Sequence, residues 1–291
     1  MSENTQGRVA VITGASAGIG KATARMLAAL GWNVIGVGRD AARSQGAEAE
    51  IRAAAAPGAR VAFVRGDFTE MRDVKRVAAE IARATDRLDV LINNAGGVRD
   101  KLYMTSENLE AMFAANHMAP FLLTRELMPL MKRTAAARQA GGVRVIAVSS
   151  SGHMACPGMN WDDLNMFGNF STGVAYCQAK LANILFTRAL ARRAGADGII
   201  AQSMHPGRVA SNFASHGDAA MQSYMANADT AQPDEPARTL VWMAESEEAG
   251  CRAGRYFYDM REETPAPQAL DDAAAERLWE ESEKILARIG V

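Results

Sequence analysis

The run Thr13-Gly14-Ala15-Ser16-Ala17-Gly18-Ile19-Gly20 follows a short β-rich apolar stretch and opens a segment with helix-like apolar spacing. Glycines at these positions let the chain turn tightly and let its backbone approach a ligand closely. The helix that follows offers free N–H groups and the positive end of its dipole, a combination that suits a pyrophosphate. Three glycines can also serve an ordinary turn, so their weight comes from the strand–turn–helix setting. That setting belongs to parallel α/β sheets.

The rest of the chain repeats the alternation. Apolar, β-rich runs fall at 9–13, 33–37, 61–64, 90–92, 143–148 and 199–203, and helical spacing falls at 21–30, 43–55, 73–84, 109–131 and 175–193. Strands alternating with helices predict a doubly wound parallel β-sheet flanked by helices on both faces, a single Rossmann-type α/β domain spanning 1–291. The length of 291 residues and the 48% hydrophobic content suit one large buried core. Ligands of such a sheet bind at the carboxyl ends of its strands. Two segments break the pattern, about 153–173 and 210–236, and read as loops with some helix; a further helix is expected at about 270–289.

Several function classes are excluded. A net charge of -1 gives no basic footprint for nucleic acid. Cys156, Cys177 and Cys251 have neither the number nor the spacing of a disulfide framework or a zinc site, and His117, His153, His205 and His216 are scattered, so no metal is expected. Residues 1–7 are polar, with no signal pattern, and no apolar run reaches the roughly 20 residues needed to span a bilayer. A cytoplasmic, reduced protein without a membrane anchor is expected.

The spacing Thr-Gly-(three residues)-Gly-Ile-Gly differs from the more widespread G-x-G-x-x-G. It resembles the cofactor signature of the short-chain dehydrogenase/reductase family, classical type. The resemblance implies a nicotinamide dinucleotide held by Gly14, Ser16, Gly18, Ile19 and Gly20. The form of that cofactor is read after the second strand, where an acid favours a ribose hydroxyl and a base favours a 2′-phosphate. Gly38 stands where NAD-preferring relatives carry the acid, and Arg39 follows it. NADP(H) is therefore expected. Asp40, at about the generic distance from the glycines, keeps NAD as the alternative, although helix N-capping is its preferred reading. Asp67-Phe68 follows the third strand, with Asp67 implied at the adenine edge. Asn93-Asn94-Ala95-Gly96 follows the fourth and matches a family motif that steadies the sheet and lines the ribose. Pro206-Gly207 matches the turn on the nicotinamide side, with Val209 and the hydroxyl of Ser211 completing that wall.

Tyr176 and Lys180 lie four residues apart in a strongly helical segment, which puts them on one face. A free tyrosine, with a pKa near 10, is a poor base at neutral pH. A nearby ammonium and an oxidised nicotinamide would favour the phenolate and pull that pKa down. Tyr176 could then accept an alcohol proton, or return it to an alkoxide. Alone, this spacing is common by chance; after the glycine signature it gains meaning. Of Ser149, Ser150 and Ser151, the resemblance points to Ser150 as the hydroxyl facing the substrate oxygen. Asn116 is a poor residue for a helix interior. Its family counterpart bends the helix and holds a water beside the lysine, implying a proton path Tyr176–ribose–Lys180–water–Asn116.

The match extends over nearly the whole chain. Residues 175–187, Asn116-His117, His205-Pro206-Gly207, Gly254-Arg255-Tyr256-Phe257, Pro267-Gln268-Ala269 and Arg277-Leu278-Trp279 resemble the retinol dehydrogenase branch. That branch is broadly NADP-preferring. A bulky apolar alcohol or ketone is the implied substrate, with a 17β-type hydroxysteroid dehydrogenase as the alternative. A non-catalytic cofactor sensor is disfavoured because Ser150, Tyr176, Lys180 and Asn116 are all present. Met154, Met159, Trp161, Met166, Phe167 and Phe170, with Phe213, Met221, Tyr224 and Met225, are candidates for an adaptable apolar pocket or for packing of the loops. His153 could face the substrate or be structural, and Cys177 is expected to pack away from the site. By family analogy, a homodimer or homotetramer pairing through 109–131 and 175–193 is expected.

Overall fold

The computed structural model of the chain describes residues 7–291; the polar stretch 1–7, Gly7 apart, lies outside the described residues. The first half alternates strictly: β1 (Val9–Thr13), α1 (Gly18–Ala29), β2 (Asn33–Gly38), α2 (Ala41–Ala54), β3 (Val61–Arg65), α3 (Met71–Ala84) and β4 (Val90–Asn93). The long helix expected at 109–131 is α4 (Ala111–Phe113) and α5 (Ala119–Ala136), joined through a π-helical turn at Ala114–Met118. Next come β5 (Val143–Val148), α6 (Thr172–Ala194) and β6 (Ile199–Met204). The C-terminal part adds α7 (Ala219–Ala226), α8 (Asp234–Glu245), α9 (Glu247–Gly250), β7 (Tyr256–Tyr258), β8 (Arg261–Glu262) and α10 (Asp272–Arg288).

The strands form one eight-stranded sheet in the order β3-β2-β1-β4-β5-β6-β7-β8, parallel except for the last pair. Side chains alternate across a strand, so each strand feeds two layers. In β1, Val9 and Val11 join the layer under α3, α5 and α6, while Ala10 and Ile12 join the layer under α1, α2 and α8. Burial on both faces explains why these strands read as unbroken apolar runs. The strand order reverses direction between β1 and β4, which opens a crevice at their carboxyl ends.

The C-terminal helix lies over α5 and α6. Trp279 packs against Phe121 and Phe186, with ring centroids 4.8 and 5.9 Å apart. Ser282 lies 2.8 Å from Nε2 of the buried His117. The helices through which pairing was expected are therefore covered, over these residues, by the chain's own α10. Among the described residues, no helix is long and apolar enough to cross a membrane.

Candidate active site

The crevice holds a cavity of about 570 Å³. Eighteen of the expected site residues line it: Gly14, Ser16, Gly18, Ile19, Arg39, Asp67, Phe68, Asn94, Ala95, Gly96, Asn116, Ser150, Tyr176, Lys180, Pro206, Gly207, Val209 and Ser211. Gly20 does not line it. A Cβ on Gly20 would fall 2.4 Å from the Gly14 carbonyl oxygen, so this glycine allows α1 to close on the turn. Gly14 has φ +69°, and a Cβ there would sit 2.9 Å from Asn94 Nδ2. The cradle thus has room for backbone but not for side chains. The first turn of α1 carries no acidic residue, so nothing there offsets the helix dipole toward a pyrophosphate.

Thr13, the first residue of the glycine signature, clasps the cradle to the neighbouring strand. Its Oγ1 accepts from the backbone N–H of Asn94 and of Ala95, at 3.0 and 2.9 Å, and the Asn94 amide donates to the Thr13 carbonyl at 2.8 Å. The signal was present, because a hydroxyl ended the first strand beside an Asn-Asn-Ala-Gly turn.

At the end of β2, a Cβ on Gly38 would meet Ser44 Oγ at 2.4 Å. Asp40 caps α2, its carboxylate accepting from Arg43 N at 2.8 Å, and it does not line the cavity. Arg39 and Arg43 both do. Arg43 carries no signal for this role in the sequence, where it is the first residue of the helix expected at 43–55. Asp67 is already engaged: it accepts from Thr69 N and Oγ1 at 3.0 and 2.8 Å and lies 3.8 Å from Arg39.

The reactive groups converge from β5, α6 and the π-turn. The Ser150 hydroxyl reaches the Tyr176 phenol and favours its ionised form. Lys180 is buried and donates from Nζ to the Val148 carbonyl at 3.0 Å, lying 5.7 Å from the centre of the Tyr176 ring. Burial lowers its pKa to about 8. Tyr176 differs from expectation: among the protein's own groups, burial dominates and raises its pKa. The ammonium lies over the ring and donates a hydrogen bond to a main-chain carbonyl, so it does little to draw the phenol down. The Asn116 amide donates to Gly97 O and Met112 O, both at 2.9 Å, and accepts from Gly97 N at 3.1 Å. A Cβ on Gly96 would lie 2.4 Å from Asn116 Oδ1 and 3.3 Å from Lys180 Nζ, so the turn after β4 needs glycine to fit between them.

The two apolar sets separate. Phe213, Met221, Tyr224 and Met225 line the cavity with Val98 and Met112. None of Met154, Met159, Trp161, Met166, Phe167 and Phe170 does. Met159 and Met166 are buried in the core, and Trp161 packs on it under Arg277, while Met154 and Phe167 face solvent. Hydrophobicity alone could not say which way each loop faced. Cys177 lines the cavity as well as packing on the core. His153 is structural: it is fully buried, with Nδ1 2.7 Å from Ser150 O and Nε2 accepting from Ala266 N. Among the described residues, no cluster could hold a metal ion.

The short chain dehydrogenase family model matches residues 8–161. Human retinol dehydrogenase 13 is 33% identical, over 96% of this chain and 85% of its own length. Human retinol dehydrogenase 14 is 36% identical, over 95% of this chain and 85% of its own length. A solved structure of an uncharacterized protein from Mycobacterium paratuberculosis is 29% identical and superposes with a TM-score of 0.75, covering 98% of this chain and 96% of that one. Pseudomonas aeruginosa RhlG, solved as an NADP active-site complex, shares the fold at 24% identity and a TM-score of 0.69, covering 87% of this chain and 94% of that one. The chain belongs to the short-chain dehydrogenase/reductase family, in its retinol dehydrogenase-like branch, and is an NAD(P)-dependent alcohol/carbonyl oxidoreductase.

Proposed function

We propose that the chain interconverts an alcohol and a carbonyl on a bulky apolar substrate, with NADP(H) as cofactor and Tyr176 as acid/base. The observation that carries this reading is the meeting of Ser150, Tyr176 and Lys180 in one cavity whose other side is built from Val98, Met112, Phe213 and Met221. When bound, the nicotinamide supplies or accepts the hydride. Gly14, Ser16, Gly18 and Ile19 would hold the pyrophosphate end, Asp67 and Phe68 the adenine, Asn94, Ala95 and Gly96 the ribose, and Pro206, Gly207, Val209 and Ser211 the nicotinamide end. Ser150 orients the substrate oxygen and stabilises the charge that forms on it. Tyr176, a phenol at neutral pH because burial raises its pKa, gives its proton to that oxygen during carbonyl reduction. Lys180, with a pKa near 8, restores the proton. Asn116 fixes the turn against which the lysine rests.

The choice of NADP(H) is supported by the end of β2. The backbone at Gly38 has no space for an acidic side chain, while Arg39 and Arg43 offer two guanidinium groups to a 2′-phosphate. The test is NADPH oxidation, followed by absorbance, with all-trans-retinal, a steroid ketone and an aromatic ketone. Turnover is expected with at least one, and Tyr176→Phe is expected to lose about 10²–10⁴-fold in kcat while still binding cofactor. Arg39→Ala is expected to weaken NADPH about tenfold or more and leave NADH nearly unchanged. Equal NADPH affinity in that variant overturns the cofactor assignment; no turnover with any carbonyl despite cofactor binding favours a sensor.

A further inference from the structure

Two histidines follow the adjacent strands β5 and β6 beside the site, and both are held by the same short piece of chain. His153 Nε2 lies 3.1 Å from the Ala266 N–H. A backbone N–H can only donate, so Nε2 is the acceptor, and Nδ1 carries the proton that it donates to Ser150 O at 2.7 Å. His205 shows the mirror tautomer. Its Nδ1 accepts from Gly207 N at 3.3 Å, so Nε2–H donates to the Glu263 carboxylate at 2.7 Å. The two rings are linked through β7. His205 stacks on Tyr258, with centroids 4.2 Å apart and planes 9° apart, and on Tyr256 at 5.5 Å. Tyr256 meets His153 edge-on at 5.2 Å. Glu263 N donates to Tyr256 O at 2.9 Å, which closes the segment on itself.

We propose that residues 256–266 form a brace that sets both walls of the active site, with His153 as the positioning residue for Ser150 and His205, held by Glu263, as the positioning residue for Pro206-Gly207. The brace rests on the roles proposed above for Ser150 and for the Pro206-Gly207 turn. Neither histidine needs to touch substrate or cofactor. His153 reads a backbone N–H of the brace and His205 a side-chain carboxylate of it, each fixes one backbone group of the site wall, and a shift of about 1 Å in a reacting group can cost on the order of 100-fold in rate.

The two arms predict different kinetic signatures. In His153→Asn the amide reaches the Nδ1 position and can still donate to Ser150 O; in His153→Gln it reaches the Nε2 position and serves Ala266 alone; His153→Phe keeps the ring and loses both bonds. With NADPH and the best carbonyl of the panel above, His153→Phe and His153→Gln are expected to lower kcat about tenfold or more at unchanged NADPH affinity, and His153→Asn to recover most of it. Glu263→Ala is expected to raise KM for NADPH several-fold with kcat nearly unchanged. Amide exchange measured by mass spectrometry is the readout independent of turnover: in His153→Phe, peptides around 150–156 and 263–268 are expected to lose protection together. If Asn and Gln variants behave alike and both merely follow a lowered melting temperature, or if the two peptides respond separately, the brace is wrong. If the wild type turns over none of the carbonyls, the functional reading fails, and the exchange arm still decides whether the brace exists.

Discussion

Lys180 is 4% exposed and donates one hydrogen bond to the Val148 carbonyl, and burial holds its pKa at about 8 instead of 10.5. Two consequences follow from that one number. Carbonyl reduction consumes a proton, so with Lys180 as its source the rate of reduction is expected to be flat below pH 8 and to fall as pH rises through it; alcohol oxidation should show the opposite limb. Initial rates in both directions across pH 6–10 check this. The second consequence concerns stability. Between about pH 8 and 10.5 the unfolded chain binds the lysine proton and the folded chain does not, so stability rises with pH across that window. The penalty for burying the ammonium is full below pH 8. Lys180→Met is therefore expected to lose activity yet gain roughly 1–3 kcal/mol at pH 7, after losing one hydrogen bond, with the gain vanishing by about pH 10. Equal denaturant midpoints at pH 7 would remove the argument. The pairing of Tyr176 with Lys180 was legible in the sequence because spacing on a helix fixes a face. The direction of the Tyr176 shift was not, since it depends on how much protein surrounds the ring, and four residues of spacing carry no such information.

At the scale of elements, the helix from Ala111 to Ala136 would be regular but for the π-turn at 114–118. Asparagine in the middle of an apolar helix announced an irregularity, and the structure gives its cause. The Asn116 side chain leaves the helix surface to bond Gly97 twice and returns a third bond to Met112 O. Asn116→Ala would strip partners from three buried or part-buried backbone groups. It is expected to cost about 2–4 kcal/mol in thermal or chemical denaturation and to loosen the 96–97 turn, weakening cofactor binding as well. A loss of stability without any change in cofactor affinity would separate the π-turn from the cofactor site. Six strands and six helices were readable, the last of them at about 270–289, because most repeat a period over a useful length. The strands β7 and β8 were not, at three and two residues, with Arg261 and Glu262 exposed. Their place in the sheet is set by pairing with β6 and by the stacked rings of His205, Tyr256 and Tyr258, which are tertiary facts. The helix α8 was hidden for a different reason: its Asp-Glu-Pro opening resembled the loop before it, although proline and acids suit a first turn.

The whole molecule adds a constraint that no single element shows. The faces of α5 and α6 that meet Trp279 are apolar, and the same helix also brings Leu278, Ile285 and Leu286 into the core. Ion pairs ring this contact, Arg125 with Glu283, Arg188 with Asp272, and Arg192 and Arg193 with Glu276. Their partners are largely solvent-exposed, so each is worth at most about 1 kcal/mol, and apolar burial decides the docking of α10. His117 lies beneath it, its pKa lowered to about 3 by burial, so it stays neutral at ordinary pH and its bond to Ser282 carries no charge. Association of two copies through α5 and α6, the mode expected from the family resemblance, would compete with α10 for these residues. Trp279→Ala is therefore expected to act within one chain. It should cost roughly 2–3 kcal/mol, below the 3–5 typical of a fully buried aromatic because Trp279 is only partly buried, and lower the melting temperature by about 5–10 °C. The midpoint should not move with protein concentration, since an intramolecular contact is independent of mass action whereas an interface is not. Sedimentation of wild type and variant should give the same mass. A melting temperature that climbs with concentration, together with a Trp279→Ala variant of smaller mass, would mean that α5 and α6 are completed by a second chain and that α10 serves the interface instead of sealing it.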